Sequence, residues 1–339
     1  MPKFDFDVIT IGHGSGGLLT HKLLQTGVFD LLKNDLLDQQ HDGASFQLNG
    51  KVAFSTDSYV ITPAFFPGGN IGELAINGTV NDLAMCGAIP QYLSLAFIIE
   101  EGLSMEEFWT ILSSIKQAAQ KAGTRIVTGD TKVVEKGKGD KIFINTSGIG
   151  LIHSRAQIHH NRIEAGDKII ISGNIATHGI AIMSVRRGLE FESDILSDTA
   201  PLNHTIKNLL DKFGSDIKFL RDPTRGGVAS VLNEIAELTR LGFAINQNDI
   251  PLNEQVEGAC EMLGLDPLYV ANEGIFLAVV KNEIAEEFLK ELRNDENGRD
   301  ARLIGEVSTQ HPGKVVLKSK IGGSRVVNYL TGEQLPRIC

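Results

Sequence analysis

The chain has 339 residues, 42% hydrophobic and 22% charged, with no tract of like charge, a globular composition long enough for two domains. Its net charge of −10 argues against a nucleic-acid partner, whose phosphates call for a basic patch, although metal ions can still bridge acidic side chains to a nucleotide. The longest apolar runs, such as LSLAFII at 93–99, are too short to span a bilayer, and no basic segment leads into an apolar one at the start, so neither a membrane span nor a signal peptide is expected.

The chain opens with FDFDVITI and then GHGSGG at 12–17, its densest glycine cluster. Glycines let backbone N–H groups approach phosphate closely. No Gly-Lys-Ser/Thr follows, so this is not a P-loop, and a mobile terminal turn is the other reading. ASFQLNGKVAFSTDS (44–58) reads as a hairpin about Asn49-Gly50. A helix begins at Asn70, with Glu73 completing a capping box, and runs to about Cys86. QYLSLAFIIE is a strand. The next helix is capped by Ser104 and Glu107, carries Met105, Phe108, Leu112 and Ile115 on one face, and stops at Gly123. RIVTGDTKVV and KIFINTSGIGLI read as strands flanking the polar loop EKGKGD.

The polar stretch 153–167, with three of the nine histidines, reads as a solvated linker without metal-site spacing. KIIISG begins the second half as a strand. DPTRGG (222–227) runs into the helical VASVLNEIAELTR, and KVVLKS is a late strand. The stretch after Gly322 reads as irregular. Strand–helix alternation in both halves predicts an α+β protein of two layers. The expected divisions are 1–40 (glycine-rich segment), 41–155, 156–328 and a tail at 329–339.

Three cysteines, Cys86, Cys260 and Cys339, are an odd count with no close pair, which points to a reducing, cytoplasmic setting. Cys86 and Cys260 read as small buried hydrophobes at helical positions. Cys339 is the last residue, in LPRIC, which is not a lipidation signal.

Four aspartates stand where strands or loops meet turns: Asp57, Asp82, Asp130 and Asp222. Each alone reads as a cap or turn residue. Together they suggest a magnesium–phosphate site, because magnesium takes a few carboxylates plus substrate phosphates. Gly226 opens the helix after DPTRGG, where free N–H groups and the dipole favour an anion, and Arg225 adds a forked donor. Lys132 lies two residues beyond Asp130, on the same strand face, and Glu273 precedes Gly274 at a strand–turn junction.

Taken in order, GHGSGG, VNDLAM, TGDTKVV, DPTRGG, ANEG and the terminal PRIC resemble the HypE family of hydrogenase maturation proteins, over essentially the whole chain. That family is similar to the PurM-like ATP-binding superfamily of aminoimidazole ribonucleotide synthetase, selenophosphate synthetase and thiamine-monophosphate kinase. The resemblance implies a two-domain α+β fold, a homodimer that pairs N-terminal sheets, and ATP with Mg2+ in a cleft. It implies that HypF loads a carbamoyl group onto Cys339, and that ATP drives its dehydration to a thiocyanate. The cyanide then passes through HypC–HypD to the iron of a [NiFe] hydrogenase. By motif, Asp57, Asp82, Asp130 and Asp222 would hold magnesium. Gly14, Ser15, Gly16, Thr131, Arg225 and Gly226 would lie near the nucleotide, and Lys132 and Glu273 would flank the carbamoyl group.

The chemistry agrees. Phosphorylating an amide oxygen converts water loss into phosphate loss, and a base must take the N–H protons; Glu273 is the candidate, with Lys132 orienting. From about Val326 to Cys339 the tail reaches at most roughly 45 Å. Pro336 stiffens it; Arg337 should favour a Cys339 thiolate while the α-carboxylate opposes it, and the sequence leaves the balance between them open. The tail is expected to swing between an outward and an inward state. Two other readings remain open here: a kinase or selenophosphate-type synthase with an expendable tail, and a non-catalytic ATP-gated scaffold.

Overall fold

The computed structural model describes residues 6–39, 43–188, 195–330 and 337–339. The first domain contains β1 (Val52–Tyr59), α1 (Ile71–Met85), β2 (Ala88–Glu100), α2 (Met105–Ala122), β3 (Arg125–Val134) and β4 (Ile142–Ile152). Its sheet has the order β1-β4-β2-β3, with β2 and β3 parallel and the other pairs antiparallel. Successive side chains alternate between faces. Leu93, Leu95 and Phe97 point at the helices, against Leu74, Phe108, Ile111 and Ile115, each such burial contributing about 1.5–3 kcal/mol. Val52, Phe54 and Ile98 remain exposed.

The helices begin and end where the sequence predicts, although the Asn70 cap closes on Gly72 and not through the expected box with Glu73. Asn70 accepts from the Gly72 N–H at 2.9 Å, Ser104 Oγ accepts from the Glu107 N–H at 3.1 Å, and Gly123 ends α2 in the left-handed region with φ 68°. The hairpin does not form. Residues 44–51 contain no strand, and β1 pairs instead with β4, from Val52↔Leu151 to Tyr59↔Ile144. Phe46 packs on the Tyr92 ring at 4.3 Å.

The second domain holds β5 (Lys168–Ile171), α3 (Thr177–Arg187), α4 (Asn203–Phe213), β6 (Ile217–Arg221), α5 (Gly227–Thr239), β7 (Gly242–Asn246), α6 (Glu254–Leu263), β8 (Leu277–Val280), α7 (Ala285–Arg293), β9 (Arg302–Ser308), β10 (Val315–Lys318) and β11 (Ser324–Val327). The sheet order is β11-β10-β7-β9-β5-β8-β6. Helices α3, α5 and α6 cover one face, and α4 and α7 the other. The segment after Gly322 is more regular than its composition suggests, because β11 pairs with β10. Ala84 and Met85 of α1 join the α4–α7 core, so the domains share packing.

The 153–167 stretch is not simply solvated. His153 Nε2 meets Asp211 at 2.9 Å with its side chain nearly buried, and Ile163 is buried. Cys260 is buried as expected, whereas Cys86 is exposed, because it caps the end of α1 beyond the covered face. Among the described residues no helix is long and apolar enough to cross a membrane.

Candidate functional site

Four acidic side chains gather where the domains meet. Asp57 comes from the helix-facing side of β1, Asp82 from α1, Asp222 from the loop after β6, and Glu273 from the turn before β8. Ser55 Oγ donates to Asp82 Oδ2 at 2.6 Å, and Asp57 Oδ1 accepts from the Ser58 N–H at 2.7 Å. Burial raises the Asp82 pKa, with the Ser55 hydrogen bond opposing it and the Asp57 charge adding to it. Burial and then the Asp82 charge push Asp222 to about 7. Glu273 lies well above the usual carboxylate range, from burial and then the charges of Asp222, Asp198, Asp57 and Asp82. Its Oε1 is buried without a hydrogen-bond partner. Such a concentration of buried acid calls for a cation or a proton.

The end of the chain enters this cluster. Cys339 is 6% exposed, an oxygen of its α-carboxylate accepts from the Val60 N–H at 3.1 Å, and Arg225 Nε donates to its Sγ at 3.0 Å. Burial, then the Glu273 charge, pushes the thiol up to about 12, against the opposing effect of Arg225. The expectation for Arg337 is therefore corrected. Its guanidinium pairs with Asp140 at 2.6 Å and lies over the Phe143 ring, so the arginine beside the sulfur is Arg225, and the docked sulfur is a neutral thiol. Leu335 and Pro336, including the stiffening expected of Pro336, fall outside the described residues.

The other predicted residues form a second place. Gly14, Ser15 and Gly16 line a cavity of about 410 Å³ together with the polar Asp130, Thr131 and Lys132 and the apolar Leu24, Phe29, Leu37, Phe97 and Ile126. The glycine segment is not a loose turn. Residues Ile11–Gly14 form a 3-10 turn lying so close to β3 that a Cβ on Gly14 would stand 2.5 Å from the Val133 nitrogen. Lys132 Nζ contacts Asp130 Oδ1 at 2.6 Å, and this hydrogen bond, ahead of a smaller opposing burial effect, lowers the Asp130 pKa.

Within one chain the two places are separate. Register puts Asp57 in the row with Thr146, Leu95 and Gly129, and Asp130 in the next row with Ser58, Asn145 and Ala96, on the open face. Three strand spacings divide β1 from β3, about 14 Å. Thus Asp57, Asp82, Asp222, Arg225, Glu273 and Cys339 come together. Asp130, Thr131 and Lys132 stay with Gly14–Gly16, so Lys132 does not reach the thiol or Glu273 of its own chain. Gly226 adjoins Arg225 as the left-handed residue before α5.

Several residues that hold the cluster escaped the sequence reading. Asn81, fully buried, donates to the carbonyls of Ala200 at 3.0 Å and Glu273 at 3.1 Å, and accepts from the Leu202 N–H. Asn272 joins the Asp222 loop to α3 by donating to Pro223 O and accepting from the Ala176 N–H, both at 2.7 Å. Asp198 Oδ1 accepts from the Glu273 N–H at 3.2 Å, and a Cβ on Gly274 would fall 1.6 Å from the Asp198 carbonyl. Asn81 and Asn272 adjoin Asp82 and Glu273 within VNDLAM and ANEG, a signal within reach. Nothing local marks Asp198.

Residues 40–152 match the N-terminal domain, and 164–318 the C-terminal domain, of the AIR synthase related protein family. The chain is 46% identical to the carbamoyl dehydratase HypE of Rhizobium leguminosarum bv. viciae, over 98% of this chain and 95% of that one. Among solved structures it is similar to the hydrogenase maturation protein HypE in complex with ATP, at TM-score 0.93 and 45% identity, covering 97% of this chain and 99% of that one. A chain of the HypE–HypF complex aligns at TM-score 0.80 and 45% identity, covering 91% and 99%. The fold is the two-domain PurM-like α+β fold.

Proposed function

We infer the activity from one premise: the chain belongs to the HypE family of hydrogenase maturation proteins. It is an ATP-dependent carbamoyl dehydratase that converts a thiocarboxamide on its own C-terminal cysteine into a thiocyanate, the source of cyanide for the iron of a [NiFe] hydrogenase. The observation that carries this reading is Cys339 itself, buried beside Arg225 in the acidic cluster. An expendable tail would have no reason to bury its last side chain there, and a scaffold would need no base.

The residues fit magnesium and a nucleotide. Asp57, Asp82 and Asp222 are hard oxygen donors. Among the described residues no three His, Cys, Asp or Glu side chains converge to hold a metal unaided, in keeping with an ion that takes one or two carboxylates and completes its shell with phosphate oxygens and water. When bound, MgATP supplies the phosphoryl group that makes the amide oxygen a leaving group. Arg225 and the Val60 N–H hold the sulfur and the α-carboxylate of Cys339 still. Glu273 has a raised proton affinity and an unpartnered Oε1, which suits a base that strips N–H protons as the C≡N bond forms.

The neutral docked thiol also supports a division of labour. A thiol pushed up to about 12 is a poor nucleophile, so loading belongs to an outward tail presented to HypF, and dehydration to the inward one. HypC–HypD would receive the cyanide. The open face with Val52, Phe54 and Ile98 suits a homodimer of N-terminal sheets, and such pairing is how a partner's Lys132 could approach the thiol. The test is to incubate the protein with ATP, a carbamoyl donor and HypF, then weigh the C-terminal peptide. Carbamoylation followed by loss of water is expected; an unmodified Cys339 would sink the reading.

A further inference from the structure

His178, near the start of α3, is fully buried and takes no part in the chemistry above. Its Nε2 lies 2.9 Å from the Ile338 carbonyl oxygen, and its Nδ1 lies 2.8 Å from Ser197 Oγ. A carbonyl only accepts, so Nε2 carries the proton and Nδ1 of the neutral ring accepts from the serine hydroxyl. Ser197 Oγ in turn accepts from the Thr199 N–H at 3.2 Å, and the Ser197 N–H donates to the Pro67 carbonyl at 2.8 Å. Phe66 meets the imidazole edge-on. Every polar atom of the ring is assigned, and the ring has one orientation.

Ser197 and Asp198 are consecutive. One holds the histidine that holds the tail, and the other holds the backbone N–H of Glu273. The short strap 197–199 therefore touches both ends of the reaction centre. Burial keeps His178 neutral, with its pKa lowered to about 4, so the Nε2–H donor persists across the physiological range.

Resting on the reading that the docked tail is the reactive state, we propose that His178 is a positioning residue that latches the penultimate carbonyl of the chain and, through Ser197 and Asp198, couples tail docking to the placement of Glu273. It touches no reacting atom. It sets how often the tail is docked and where the sulfur stands when it is.

The test follows alkylation of Cys339 by iodoacetamide, read as the mass of the C-terminal peptide, in wild type, His178→Ala, His178→Gln and Ser197→Ala. Losing one hydrogen bond to the tail is expected to speed Cys339 alkylation about three- to tenfold in His178→Ala, while His178→Gln, which keeps a side-chain N–H donor of similar reach, stays near wild type. Cys260, buried in the second domain, is the folding control and should remain unmodified. Dehydration of the carbamoylated protein should lose kcat in His178→Ala with KM for ATP unchanged, and regain it in His178→Gln. Equal Cys339 rates in wild type and His178→Ala, with Cys260 protected, overturn the latch. If His178→Ala exposes Cys260, Ser197→Ala decides: faster alkylation upholds the latch and an unchanged rate overturns it. Absence of water loss in the wild-type protein counts against the dehydratase activity alone, because the alkylation ratio reads the latch independently.

Discussion

At Cys339 two influences act on one sulfur: burial beside Glu273 raises its proton affinity, and Arg225 at 3.0 Å opposes the rise. Arg337 was the arginine the sequence pointed to, because it is two residues away along the chain. The fold turned it toward Asp140 and supplied Arg225 from a loop more than a hundred residues distant, a pairing no local pattern encodes. Alone, Glu273 reads as a surface charge or a turn residue, and it became a candidate only through the resemblance of ANEG; its turn depends on the close approach of Gly274 to Asp198. Glu273→Gln should slow water loss from carbamoylated Cys339 by on the order of 10²–10⁴, measured by peptide mass over time, while loading by HypF continues. A second prediction concerns pH. Asp222 has a folded pKa near 7 and Asp198 near 6, both above the ordinary carboxylate value. Between about pH 4 and 7 these two carboxyls bind more protons in the folded protein than in the unfolded chain and lower stability as pH rises; His178, lowered to about 4, acts in the opposite sense, and the two carboxyls together outweigh it. Thermal melts of metal- and nucleotide-free protein should show a lower Tm at pH 7.5 than at pH 5, and Asp222→Asn should flatten the difference.

Among the elements, the N-caps of α1 and α2 and the amphipathic face of α2 were readable because they are set by neighbours three or four residues away. The Asn49-Gly50 signal failed for the converse reason. A turn forms a hairpin only when both flanks gain more from each other than from other partners, and β4 offers β1 eight consecutive pairs. The length of α1 hides a further task. Its Asn81 ties the first domain to the Glu273 turn and to the start of α4 by three hydrogen bonds, so the helix that presents Asp82 also sets the height of the base. Asn81→Ala should leave two carbonyls and an N–H unpaired in the interior and lower stability by on the order of 3 kcal/mol, seen as a reduced denaturant midpoint. Asn81→Asp should be no better, because a carboxylate cannot donate to the two carbonyls.

Across the whole molecule, two folded domains and a docked tail still leave the predicted site in two pieces. Lys132 and Asp130 face the open side of the first sheet beside the Gly14–Gly16 cavity, whereas Glu273 and Cys339 sit on the helix-facing side at the other edge. The motifs were all visible in the sequence, but a motif does not reveal which chain completes it. The exposed Phe54, 67% accessible on the open face of β1 beside Val52, suits the proposed pairing of two sheets. Phe54→Asp should therefore yield a monomer by sedimentation. A sharper consequence follows from mixing two inactive variants. Lys132→Ala and Glu273→Gln protomers, each inert alone, form a mixed dimer in which one site draws Glu273 from the first chain and Lys132 from the second, and both are intact. If Lys132 serves the partner's thiol, co-folded mixtures should recover dehydration in proportion to the mixed dimer present. If it serves its own chain, every site in the mixture lacks one of the two groups, and no activity returns.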